Sequence, residues 1–101
     1  GRYFFDFFIN PIRTDNDIRS AVKLWCSDRD SALAIYGHIS FWNTSQVTNM
    51  RGLFTSQMKF NEAIGNWDVS NVTNMEQMFF GAENFNQLRL VNCIFKSSAI
   101  Y

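Results

Sequence analysis

Proline occurs once in this 101-residue chain, glycine five times, cysteine twice and histidine once. Hydrophobic and charged residues nonetheless occur in ordinary globular proportions, which argues against disorder. An excess of either charge is also missing, because nine Lys+Arg balance nine Asp+Glu. Neither a nucleic-acid patch nor a polyanion partner is therefore indicated. No stretch reaches the roughly 18 apolar residues that a membrane-spanning helix requires. Cys26 and Cys93 match no C-x-x-C or zinc spacing. They read as two free, partly buried thiols, with a disulfide or a reactive thiol as the alternatives.

Aromatic residues are plentiful, with 11 Phe and three Trp in a chain that is 47% hydrophobic. Many of them recur at a fixed interval. Shifting Ile64–Asn86 back by 25 residues places it on Ile39–Asn61, and ten positions coincide, among them Trp42/Trp67, Val47/Val72, Met50/Met75, Phe54/Phe79 and Phe60/Phe85. A fixed period of this size is the signature of stacked repeats. Two apolar spacings occur inside one unit. The pair Trp67/Val69 suits a short strand with two inward side chains, whereas Met75, Met78, Phe79 and Ala82 lie at i, i+3, i+4 and i+7 of a helical face. Thr73-Asn-Met-Glu76 reads as a capping box for that helix and Gly81 as its end. The expected Met50, Met75 and Met78 stripe is core rather than a cofactor site.

The stretch W-D-V-S-N-V-T-N-M-x-x-M-F-x-x-A-x-x-F-N, strongest over Ile39–Asn86, resembles the roughly 25-residue surface-protein repeat of BspA-like leucine-rich repeat proteins. The resemblance implies an α/β repeat: a short leucine-rich-repeat-like solenoid of two clear coils, with a helical N-terminal cap and a degenerate C-terminal coil. It also implies an extracellular or cell-surface location and an adhesion-type role, with a protein or glycan as partner.

The expected organisation has three parts. Residues 1–37 form an N-terminal extension and helical cap, residues 38–87 two 25-residue repeats, and residues 88–101 a degenerate or non-family tail. Gly1–Ile12 is aromatic, carries Asp6 in its middle and makes a poor signal peptide. It reads as an extended segment laid over the repeat end, or as the remnant of a longer chain. Thr14-Asp-Asn-Asp17 then supplies an N-cap and acids for a helix whose Ile18, Ala21, Val22 and Trp25 share one face. A second short helix is expected over Asp28–Tyr36, ended by Gly37. Together these place Ile18 and Trp25 over the otherwise bare end of the first repeat. In the tail, Leu88, Val91 and Cys93 or Leu90, Cys93 and Phe95 could supply a last strand, yet neither choice restores the V-T-N-M block.

Residues for chemistry are sparse. His38 has no nucleophile motif beside it, and Asp28, Asp30, Glu62, Asp68, Glu76 and Glu83 are scattered along the chain. Asp68 with Asn43 one unit away is too thin a match for a calcium ladder. The expectation is binding without catalysis or cofactor, against two alternatives: a non-functional fragment of a larger repeat protein, and a metal-dependent protein or enzyme. Alternation along I-x-x-W-x-V sends Phe41, Asn43 and Ser45, and then Asn66, Asp68 and Ser70, to the outer face. These six form the candidate binding face. Two sequons, at Asn43 and Asn71, are candidate glycosylation sites if the chain is secreted by a eukaryote.

Overall fold

A computed structural model describes residues 11–86 of the chain. Residues 1–10 and 87–101, with all but the last two residues of the expected N-terminal segment Gly1–Ile12, Cys93 and the degenerate last coil, lie outside the described residues. Within them the protein is a small α/β domain. Strand β1 (Ile12–Thr14) leads into helix α1 (Ile18–Ser27) and helix α2 (Arg29–Tyr36). A 3-10 turn over Ile39–Phe41 follows, and then strand β2 (Asn43–Gln46), which pairs in parallel with β1. The two strands form an open two-stranded sheet.

Both helices form where the sequence places them. Ile18, Ala21, Val22 and Trp25 of α1 are buried together. The carboxylate of Asp28 accepts the Ser31 N–H at the start of α2, and Gly37 takes the left-handed φ of 76° at its end. The expected cap of α1 is different. Asp17 occupies the N-cap position, but its side chain turns back to accept the Thr14 N–H and makes no cap bond within the helix.

The two 25-residue units lie against each other in register. Trp42 stacks on Trp67 with centroids 6.2 Å apart, Phe54 on Phe79 at 5.5 Å, and Phe60 on Phe85 at 5.8 Å. Val47, Val72, Met50 and Met75 are buried in the same core. Stacked rings of this kind add to the 1.5–3 kcal/mol or so that burial of each large side chain contributes.

Two expectations within the units are corrected. The segment Met75–Ala82 is not a helix, and neither is its counterpart in the first unit; both are successions of tight turns. The backbone shows why. N–H groups of Met50, Gly52, Phe54 and Ser56 cross to the carbonyls of Asn74, Glu76, Met78 and Phe80, so each second donor is taken by the neighbouring unit. The intervening N–H groups of Leu53, Thr55 and Gln57 close turns onto the carbonyl three residues back, as do those of Met78, Phe80 and Ala82. An α-helix would consume all these donors internally and leave none for pairing. Thr73 does not open a helix either: its hydroxyl donates to the Thr48 carbonyl. The second correction is that residues 66–70 form no strand. Side chains make the link there instead, Thr44 donating to the Asp68 carbonyl and Asn71 to the Ser45 carbonyl.

This turn geometry requires left-handed backbone at two positions of each unit. Gly52 and Gln77 occupy the first at φ of 60° and 56°, and Ser56 and Gly81 the second at 63° and 77°. Each pair contains one glycine and one residue with a Cβ, for which the left-handed region costs about 1–2 kcal/mol. Gln77→Gly and Ser56→Gly are therefore expected to stabilise the fold. The gain is up to about 1 kcal/mol each after the extra chain entropy of glycine is subtracted. Higher denaturant midpoints for both variants would bear this out, and lower ones would show that the turns are held by the side chains.

Candidate functional site

The outward direction of the candidate face is as the alternation predicts. Phe41, Asn43, Asn66, Asp68 and Ser70 are exposed and Ser45 is half-buried, while the intervening Trp42, Thr44, Trp67 and Val69 are buried. Only the first unit presents this face on a strand. Phe41 stands at the end of the 3-10 turn and is 76% exposed, more than any other large hydrophobic residue described. Its ring meets the edge of His38 at 6.1 Å. His38 itself closes the turn, its Nδ1 accepting the Ser40 N–H at 3.1 Å, which assigns the ring proton to Nε2 in the neutral form.

The polar members of the face are turn-builders as well as surface groups. Asn43 Oδ1 accepts the Ser45 N–H, and one unit later Asp68 Oδ1 accepts both the Ser70 N–H and its hydroxyl. The hydroxyl bond of Ser70 holds the Asp68 carboxyl below its ordinary pKa, with help from the backbone bond. Asn49 and Asn74 repeat the arrangement, accepting the N–H groups of Arg51 and Glu76. These are Asx turns, and they explain the asparagine-rich wording of the repeat. At the two sequons, Asn43 stands exposed, whereas Asn71 Nδ2 donates to the Ser45 carbonyl at 2.7 Å. A glycan on Asn71 would take one of the two Nδ2 hydrogens and leave a single one for that bond.

A pair of residues missed by sequence reasoning closes the N-terminal edge. In the second unit the N–H and hydroxyl of Thr73 both donate to the Thr48 carbonyl. In the first unit the equivalent groups of Thr48 donate to the carboxylate of Asp15 at 2.8 and 2.5 Å. Arg19 does the converse. Its guanidinium donates to the Arg51 and Asn49 carbonyls, the positions at which Glu76 and Asn74 accept from the first unit. Asp15 and Arg19 thus stand in for the backbone of a preceding unit. A charged pair at i, i+4 across a helix start was the available signal, and it reads equally well as ordinary helix capping.

Asp15 is held below its ordinary pKa by the Thr48 hydroxyl first and the backbone bonds second. A depressed carboxyl contributes stability that is present above its unfolded value, near 3.9, and is lost as pH falls through the folded value. Asp15→Asn should accordingly flatten the acid side of the stability curve. Asp15→Ala should cost roughly 1–2 kcal/mol at pH 7, the lower part of the range for charge-assisted bonds because the site is solvent-screened. Urea melts between pH 3 and 7 decide it; a difference from wild type that does not shrink toward pH 3 would assign the role to packing instead.

Among the described residues no group of three His, Cys, Asp or Glu is placed to hold a metal ion, and no helix is long and apolar enough to cross a membrane. Cys26 is half-buried and burial raises its pKa, which keeps it a thiol at neutral pH rather than a reactive thiolate. The fold and this face define a small α/β domain with two paired, repeat-like units, each carrying two Asx turns, and an exposed aromatic residue. The chain belongs to the family described as Mycoplasma protein of unknown function, DUF285, whose model matches residues 27–97. No curated protein and no solved structure matches it.

This assignment overturns the resemblance to BspA-like leucine-rich repeat proteins, since no leucine-rich-repeat or BspA family matches. The physical reason lies in what the motif encodes. Its repeated positions specify ring stacks, Asx turns and cross-unit bonds, which any closely paired 25-residue unit of this geometry requires.

Proposed function

We propose that this protein is a binding module without catalysis, which engages a protein or glycan across the Phe41, Asn43, Ser45, Asn66, Asp68 and Ser70 face. The observation that carries it is Phe41, a large aromatic held on a capped turn and left open to solvent. An aromatic anchor on a rigid support loses little entropy on binding, and such residues dominate interface energetics. The Asx turns at Asn43 and Asp68 support the reading in the same way, since they fix the polar rim before any partner arrives. In this proposal the two paired units are coils of a short solenoid, capped by α1 and α2. Each copy would bind weakly, and useful affinity would come from many coils or many copies together. The binding proposal stands independently of compartment.

The test uses the full chain displayed multivalently against glycan and protein arrays. Phe41→Ala is expected to weaken any captured partner at least tenfold, the effect of about 1.4 kcal/mol, and Asp68→Ala to weaken it less. Binding retained in both variants but lost on substitution of Met58 or Phe80, exposed on the turn segments, would move the site off this face.

A further inference from the structure

A cleft of about 180 Å³ opens between the α1–α2 junction and the 57–62 segment of the first unit. It lies outside the face described above. Trp25 and Phe60, both buried, line its apolar side. The polar lining is rich in donors. Arg29 and Lys59 bring two cations, and Gln57 and Asn61 bring side-chain amides. The single carboxylate, Glu62, is already engaged by Arg29 at 2.6 Å, with His38 Nε2 3.9 Å away. Among the described residues no carboxylate lies within ion-pair distance of Lys59. Arg29 is itself positioned, its guanidinium 5.0 Å over the Trp25 ring.

We propose that this cleft is a binding site for a carboxylate carried on a short apolar stem. Arg29 and Glu62 neutralise one another, so Lys59 supplies the net positive charge beside the apolar wall, while the Arg29 guanidinium, held by Trp25 and Glu62, keeps further N–H donors for an incoming carboxylate. The volume of about 180 Å³ leaves room for a small acid, since a single water needs only about 10–15 Å³ of such space. The Cys26 thiol in the wall is neutral and so does not oppose the anion. Because the cleft joins the helices to the first unit, an occupant bridging them would also raise the melting temperature.

Propionate and its uncharged isostere propionamide are the first probes, read by tryptophan fluorescence and by the melting temperature at matched ionic strength. Propionate should give saturable changes in both signals and propionamide none. Lys59→Gln and Arg29→Gln should each weaken binding about tenfold, whereas Glu62→Gln, which removes the competing carboxylate, should strengthen it. All three side chains are on the surface or at its edge, and circular dichroism confirms that each variant is folded before it is used. Two matched peptides, one ending in a free carboxylate and one amidated, identify the source: tighter binding of the free-ended peptide than of propionate assigns a polypeptide terminus, and the reverse assigns a small acid. An identical shift with chloride, or one unchanged in Lys59→Gln, would overturn the site.

Discussion

Arg13→Ala is expected to destabilise the protein by about 3–5 kcal/mol, the range for truncating a large buried side chain to alanine. Arg13 is wholly inaccessible, although it lies in a three-residue strand near the start of the described chain. Its guanidinium carbon sits 4.1 Å over the Tyr36 ring and 5.5 Å from that of Trp42, with Asp17 3.4 Å from Nη1. Burial lowers its pKa, and Asp17 and Tyr36 oppose that shift, so it stays charged at neutral pH. The carboxylate of Asp17 keeps partial access to solvent, so the truncation creates no deeply buried orphan charge. The cost arises from the cavity and the lost cation–π contacts, which are strong when desolvated. Arg13→Lys keeps the charge but not the flat guanidinium, and should restore less than half of the loss. Thermal melts measure it at about 4–8 °C per kcal/mol for a domain of this size. A shift of only a degree or two in Arg13→Ala would show that the aromatic pair closes over the gap.

Trp25→Ala carries the second large effect, again about 3–5 kcal/mol. Trp25 is the contact through which the helices cover the first unit: its ring meets Trp42 edge-on at 6.2 Å and His38 at 4.8 Å. Repeat arrays derive stability from neighbour contacts, and an end unit without a cap exposes its apolar face. Losing Trp25 should therefore uncouple the helices from the two paired units as well as lower the midpoint. Tryptophan fluorescence of Trp42 and Trp67 and circular dichroism of the helices would then melt at different temperatures. A cooperative melt unchanged from wild type would refute the capping role.

These two residues differ in how visible they are in the sequence. Trp25 follows from helical spacing, because Ile18, Ala21, Val22 and Trp25 mark one face whatever that face packs against. Arg13 carries no such mark. Only the convergence of Tyr36 from α2 and Trp42 from the first unit makes it a core residue. Asp15 and Arg19 resemble it in this respect, since their partners are 30 or more positions away.

The candidate face divides the same way. Its outward direction is a consequence of alternation, a local property that a sequence displays directly. Its turn bonding is not, because Asn43 and Asp68 serve as turn acceptors only once the backbone has bent to meet them. The cleft beside Lys59 was invisible for a plainer reason: its walls come from α1, α2 and the first unit, and no spacing joins them.

Legible in the chain alone are the 25-residue period, the ring stacks that the period places in register, and the two helices that precede it. Each of these depends on residues near in the chain or at one constant offset. Tertiary structure alone decided that Met75–Ala82 would be turns. The apolar spacing at i, i+3, i+4 and i+7 satisfies a helix and a succession of tight turns equally, and the choice rests on where the backbone N–H groups find acceptors. A neighbouring unit lying in register offers a carbonyl to every second N–H, and that pairing is incompatible with bonding four residues back along the same chain.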